Sequence, residues 1–272
     1  MNDGTSRTGE TSRTDERAGP MNAPSLLEVR GLSKSFGGLH AVRDVTFDLA
    51  AGEMLAMIGP NGAGKSTCFN LLNGQLRADS GEVRLDGAAI TGLEPRRIWR
   101  LGVGRTFQIT ATFASMTVRE NIQMALLSHR RRLADLWSRA RDQYRDDADR
   151  LLGLVGIGDQ AERPCSVLAY GDLKRVELAI ALASAPQLLL MDEPAAGMAP
   201  RERLALMALI GEIVRRDRLA VLFTEHDMDV VFAHADRVIV LSRGRLIASG
   251  APATVRADAE VRRIYLGSRA KA

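Results

Sequence analysis

The sequence predicts an α/β fold: a mostly parallel sheet covered on both faces, with a helical block inserted into it. Three observations carry this. Apolar runs of strand length, QLLLMDEP and LAVLFTEH, return after stretches of helical period. Between Ile109 and Pro164 apolar residues recur at three and four positions while charges fill the other faces. A glycine-rich loop, GPNGAGKST at 59–67, stands between the apolar run MLAMI and the apolar-periodic run CFNLLNG. Strands that return after helices indicate a sheet of parallel strands buried on both sides.

Taken in order, the first two dozen residues repeat a polar phrase, GTSRTGETSRTDERAGP, with no apolar period to bury. A disordered tail over 1–24 is expected, with Met21 as a second candidate start. From Leu26 the pattern changes. LLEVRGLSKSF and AVRDVTFDLAAGEMLAMIG read as short strands broken by Gly-Gly and Ala-Gly turns. The helical block follows, with no strand expected inside it, then a helix from about Asp172 to Ala183. Strand QLLLMDEP, a helix after Pro200 and strand LAVLFTEH complete the pattern. The expected organisation is one domain over 25–267, a helical subdomain over about 109–183 within it, and a short tail at 268–272.

Composition narrows the function. The chain of 272 residues is 46% hydrophobic and 26% charged, which suits a folded domain with a real core. The net charge of +4 rests on arginine, since lysine occurs only at Lys34, Lys65, Lys174 and Lys271. Scattered arginines favour a solvated, salt-bridged surface, so no nucleic-acid partner is expected. Cys68 and Cys165 have neither CxxC spacing nor a disulfide pattern and read as reduced thiols of a cytosolic protein. No apolar run approaches the roughly 20 residues that span a bilayer, so any membrane role is borrowed from a partner.

The glycine-rich loop has the strand–loop–helix setting of a phosphate cradle. Gly59, Gly62 and Gly64 let backbone N–H groups wrap around phosphate oxygens, where side chains would block the approach. Lys65 brings a compact positive charge to the β- and γ-phosphates of a nucleotide, and Ser66 can give its hydroxyl to Mg²⁺. Downstream, LLLMDEP at 188–194 is a buried strand that ends in two carboxylates, which need a cation or a proton to handle. Asp192 would sit near Mg²⁺, and Glu193 would polarise an attacking water as general base. A strand-end carboxylate that merely caps the next helix is the alternative for either residue.

These motifs, in their order, resemble the ATP-binding subunit of an ABC transporter from Leu26 to Gly267. GPNGAGKST matches the Walker A motif, the Gln of RTFQ the Q-loop, LAYGD the place of the signature, LLLMDEP Walker B, and TEHD the switch histidine. The resemblance implies a P-loop NTPase cassette with a mostly parallel core sheet, an antiparallel β subdomain and an inserted helical subdomain. It implies ATP and Mg²⁺ as ligands, with nucleotide contacts from Gly59, Asn61, Gly62, Ala63, Gly64, Lys65, Ser66 and Thr67. It also implies Mg²⁺ at Ser66, Gln108 and Asp192. Gln108 and His226 would act at the metal, the γ-phosphate or the water, and Glu193 as the base. Phe36 would stack on adenine with Val42 beside it, unless Phe36 is a buried core residue.

In this family the signature meets the γ-phosphate held by a second protomer, which assigns Ala169, Tyr170, Gly171 and Asp172 to nucleotide binding. Free N–H groups and the helix dipole at Gly171 supply an anion seat without a side chain; an ordinary helix start accounts for Gly171 and Asp172 equally well. Two departures fall on cross-protomer contacts: Ala169 where the family usually has Ser, and Ala199 where its D-loop usually has Asp or Asn. Hydrolysis that is present but slow is expected. FGGLHAV, GVGRTFQ, DEPAAGMAP and VRRIYLG resemble the branched-chain and hydrophobic amino-acid importer group, including its amide and urea relatives. The implied partners are a second ATP-binding subunit, membrane permease subunits and, indirectly, a solute-binding protein. The implied place is the cytoplasmic face of the inner membrane, bound peripherally. A non-transport ABC ATPase of nucleic-acid or ribosome biology is the alternative, and a non-enzymatic binding module a third.

Overall fold

The computed structural model describes residues 25–106, 112–129 and 144–266, without the side chains of 265 and 266. The two expected tails and Gln108 lie outside the described residues. The described residues begin with β1 (Ser25–Phe36) and β2 (Leu39–Ala50), then β3 (Met54–Ile58) and α1 (Lys65–Leu72). Next come β4 (Ser80–Leu85), β5 (Ala88–Ala89), α2 (Pro95–Arg100) and β6 (Val103–Thr106). The helical block holds α3 (Val118–His129), α4 (Arg145–Leu154) and α5 (Tyr170–Leu182). The remainder is β7 (Leu188–Asp192), α6 (Pro200–Asp217), β8 (Ala220–Thr224), α7 (Met228–His234), β9 (Arg237–Ser242), β10 (Arg245–Gly250), α8 (Pro252–Ala257) and α9 (Ala259–Leu266).

Two sheets result. One is antiparallel, in the order β2-β1-β4-β5; the other runs β10-β9-β3-β8-β7-β6 and is parallel except where β9 meets β10. β1 and β2 are joined through Gly37 and Gly38, both at positive φ (50° and 88°), a geometry that suits the twist of a tight hairpin. Each strand is twelve residues long where short strands are expected. Register shifts along the pair bend the strands, so the ladder continues past positions where the apolar alternation breaks.

The parallel strands are apolar throughout because both of their faces are covered. Met54, Ala56 and Ile58 of β3 face one core with Leu189 and Met191 of β7 and Val221 and Phe223 of β8. Their neighbours Leu55, Met57, Leu188, Leu190, Ala220 and Leu222 face the other core, shared with α1 and the antiparallel sheet. α6 closes the first core with Leu206, Met207, Ile210, Ile213 and Val214, a single helical stripe.

The helical block packs on that same core through Val118, Ile122 and Leu126 of α3 and Leu151 and Leu152 of α4. Among the described residues of 109–164 the only strand-like pairing is the bridge between Thr117 and Pro164. α5 starts at Tyr170, two residues before the expected Asp172, because Ala169 is extended (φ −64°, ψ 152°) and occupies the cap position itself. β3, β7 and β8 are neighbours, so their carboxyl ends deliver the glycine-rich loop, Asp192–Glu193 and Glu225–His226 to one edge of the sheet.

Candidate active site

β3 is wholly buried and runs directly into Gly59. A Cβ at Gly59 would lie 2.3 Å from the Leu241 carbonyl oxygen, and one at Gly64 would lie 2.4 Å from that of Ala41. Both glycines are therefore fixed by close backbone approach, and Gly64, at φ 108°, turns the loop into α1. Ala63 is buried, Thr67 half-buried, and Asn61, Gly62 and Ser66 exposed. Lys65 is 9% exposed and folds back over its own loop, donating to the carbonyls of Gly59 (2.6 Å) and Pro60 (3.3 Å).

Burial holds the Lys65 ammonium below its ordinary pKa, while Glu193 and Asp192 pull it upward. Among the described residues no carboxylate comes within 4.0 Å of it. A buried cation without an anion at contact distance is a site prepared for an anionic ligand.

Thr224 sets the two carboxylates apart. Its hydroxyl donates to Asp192 Oδ1 (2.6 Å) and accepts from the backbone N–H of Glu193 (3.1 Å), in register with the Asp192–Thr224 pairing of β7 and β8. Glu193 leaves the strand in the left-handed region (φ 51°), a conformation that costs an L-residue about 1–2 kcal/mol. Its Oε1 then lies 2.7 Å from Nε2 of His226, which is exposed at the end of β8. Asp192 Oδ2 lies 3.9 Å from the Arg105 guanidinium, which also donates to Asn70 and Gln75. Burial lowers the Arg105 pKa, and Asp192 opposes that shift. The oxygen donors of Ser66 and Asp192 suit a hard divalent cation such as Mg²⁺.

Sequence reasoning missed Thr224 and Arg105. The signal for Thr224 was present: one hydroxyl ends the otherwise apolar run LAVLFT. Phe36 is 44% exposed, which removes the core alternative for it, and Lys34 Nζ stands 5.6 Å over its ring. Val42 is 1% exposed and packs in the core, so it presents little surface of its own to a base.

The stretch 169–172 starts α5. Ala169 caps α5 and Ala199 caps α6, neither with a side-chain hydrogen bond. Between the first turns of these helices is an open cleft of about 340 Å³, lined by Ala169, Gly171, Asp172 and Arg175 and by Arg201 and Glu202. Tyr170 fastens this region to the loop after Glu193 through its hydroxyl, which donates to the Ala196 carbonyl (3.1 Å). Within one copy, the structure gathers Lys65, Asp192, Glu193 and His226, while Ala169, Gly171 and Asp172 line the cleft between α5 and α6.

Residues 42–196 match the profile of the family described as "ABC transporter". The chain belongs to the ABC transporter family. Residues 245–271 match a second profile, described as "Branched-chain amino acid ATP-binding cassette transporter". The chain is 39% identical over 251 residues to the high-affinity branched-chain amino acid transport ATP-binding protein LivG of Escherichia coli (strain K12), covering 89% of this chain and 98% of that protein. BraF of Pseudomonas aeruginosa, with the same description, is 39% identical over 249 residues at the same coverage. Among solved structures, an ATP-binding cassette of an ABC transporter in its ADP conformation superposes with a TM-score of 0.81 at 30% identity, covering 89% of this chain and 99% of that one. As a member of the ABC transporter family the protein is an ATP-binding, ATP-hydrolysing cassette.

Proposed function

We propose that the protein powers an importer of branched-chain amino acids or related amides. It would work as one of a pair of ATP-binding subunits on separate permease subunits, peripherally at the cytoplasmic face of the membrane. The observation that carries the chemistry is the buried Lys65, with no carboxylate within 4.0 Å among the described residues, beside a base bonded to His226. The transport reading is supported by the names of the relatives, which favour it over a non-transport ATPase. Among the described residues no helix is long and apolar enough to cross a membrane, consistent with attachment through a partner.

In this reading Lys65 and the loop amides bind the β- and γ-phosphates. Ser66, Asp192 and Gln108 are the residues that would hold Mg²⁺, which supplies charge neutralisation on the phosphates when bound. Thr224 holds the Asp192 carboxylate and the Glu193 N–H on one hydroxyl, and Glu193, at φ 51°, carries its own carboxylate to His226, so the two carboxylates serve different tasks. Glu193 takes the proton of the attacking water, and His226, at Glu193 Oε1, holds the base and water in line. Phe36 offers its exposed face to adenine. A second copy brings the amino end of its α5 to the γ-phosphate; Ala169, Gly171 and Asp172 line an open cleft there.

The permease would dock on the helical block near the Gln108 segment. Phe113 and Val167 are 57% and 55% exposed, and the backbone bonds from Ser166 to Ala114 and Cys165 to Met116 hold their segments side by side. Large exposed apolar side chains on two adjoining segments suit a protein contact. The test is cross-linking of the protein to a co-purified permease, together with its ATP turnover in proteoliposomes. Cross-links at 113 and 167 and turnover stimulated by the permease are expected. Cross-links confined to the sheet face near Leu241 would remove the docking assignment, and failure to associate with any permease would remove the importer reading.

A further inference from the structure

Glu225 is a charged residue 5% exposed, in a place where an apolar side chain would pack at lower cost, and no step above uses it. Its Oε1 accepts the backbone N–H of Ala195 at 2.9 Å, and its carboxylate also accepts the N–H of His226. Arg203, in the first turn of α6, makes the reverse connection. It donates to the Met198 carbonyl (3.2 Å) and pairs with Asp227, whose other oxygen caps α7 at the N–H groups of Asp229 (3.0 Å) and Val230 (3.4 Å). One buried carboxylate and one guanidinium thus bind both ends of the loop 194–199 to the segment 225–227. Thr224 and His226, on either side of Glu225, grip Asp192 and Glu193, so three consecutive side chains fasten three positions of the same turn.

We propose that Glu225 and Arg203 are positioning residues for ATP hydrolysis: they clamp the loop 194–199 to the segment that carries His226 and so hold Glu193 in place. Ala195 is two residues beyond Glu193, whose left-handed backbone depends on both of its ends being held. Ala199 has no side chain to fasten the far end of the loop, which leaves that task to Arg203 and the Met198 carbonyl. Burial raises the Glu225 pKa, while the N–H groups of Ala195 and His226 and the charge of Arg203 oppose that rise. The inference rests on Glu193 being the base.

Steady-state turnover and nucleotide affinity of single and double variants test it. Glu225→Ala is expected to lower kcat about 10–100-fold, the scale of a displacement of about 1 Å, with ATP affinity changed less than about threefold. Glu225→Gln keeps one oxygen, for the Ala195 N–H, and should restore kcat at least about threefold over the Ala variant. Arg203→Lys keeps the charge but loses the planar fork, and should lower kcat with affinity intact. In a Glu193→Gln background, Glu225→Ala should cause no further loss. Four outcomes would overturn the proposal: unchanged kcat in Glu225→Ala or Arg203→Lys, parallel loss of affinity and kcat, a Gln variant as slow as the Ala variant, or losses that multiply with Glu193→Gln. If Glu225→Ala does not fold, the Gln and Lys variants decide. Near-normal turnover in Glu193→Gln alone would instead defeat the assignment of the base.

Discussion

At the residue scale the account rests on Lys65 and Glu193. Removing the Lys65 ammonium leaves the phosphates without the one buried cation of the loop, so Lys65→Ala should weaken ATP binding itself; an unchanged affinity by titration would mean that the loop has been misread. Glu193→Gln keeps the size of the side chain and removes the proton acceptor. ATP binding should persist while turnover falls about 10²–10⁴-fold, measured as phosphate release. Much of this chemistry was legible beforehand, because Gly, Lys and Ser at fixed spacing and two carboxylates after an apolar strand can do few other things. What was not legible is what sets their geometry. The bond from Thr224 to Asp192 joins positions 32 apart in sequence, and that from Ala195 to Glu225 joins positions 30 apart. A spacing rule sees neither, because parallel pairing of β7 with β8 creates both.

At the scale of elements, Ala169 and Ala199 take on a second meaning, because both are helix caps with no side-chain bond. Serine at 169 should therefore act in two ways. As a cap it should stabilise α5 by about 0.5–2 kcal/mol, read as a raised Tm without nucleotide. As a donor to the partner's γ-phosphate it should add about 1.5–3 kcal/mol to the ATP-bound pair, or about 10–100-fold in dimer affinity. Ala251→Ser, at the cap of α8, which also has no side-chain bond, serves as the control for capping. A rise in Tm with no change in the dimer constant would leave 167–175 as a plain helix start. The five-residue apolar strands β3, β7 and β8 and the helical block were readable because burial on both faces leaves continuous apolar runs and burial on one side leaves a stripe. α5 began earlier than its charges suggested, since an extended alanine carries no capping signal. The twelve-residue β1 and β2 were obscured by their register shifts.

At the scale of the whole molecule, the order of five motifs made the family legible, because the order of strands in the sheet turns that sequence order into one edge bearing one site. The proposed pairing of two copies corresponds to a division within one: Lys65, Glu193 and His226 gather on one edge, while Ala169, Gly171 and Asp172 line the cleft between α5 and α6. In that proposal a second copy supplies the second phosphate clamp. Static light scattering of the Glu193→Gln protein with saturating ATP tests this most directly, because ATP is bound and not consumed. The account predicts a molar mass twice the 29.5 kDa of the chain with ATP and a single-chain mass with ADP. A single-chain mass in both, with ATP bound at saturation, would contradict it.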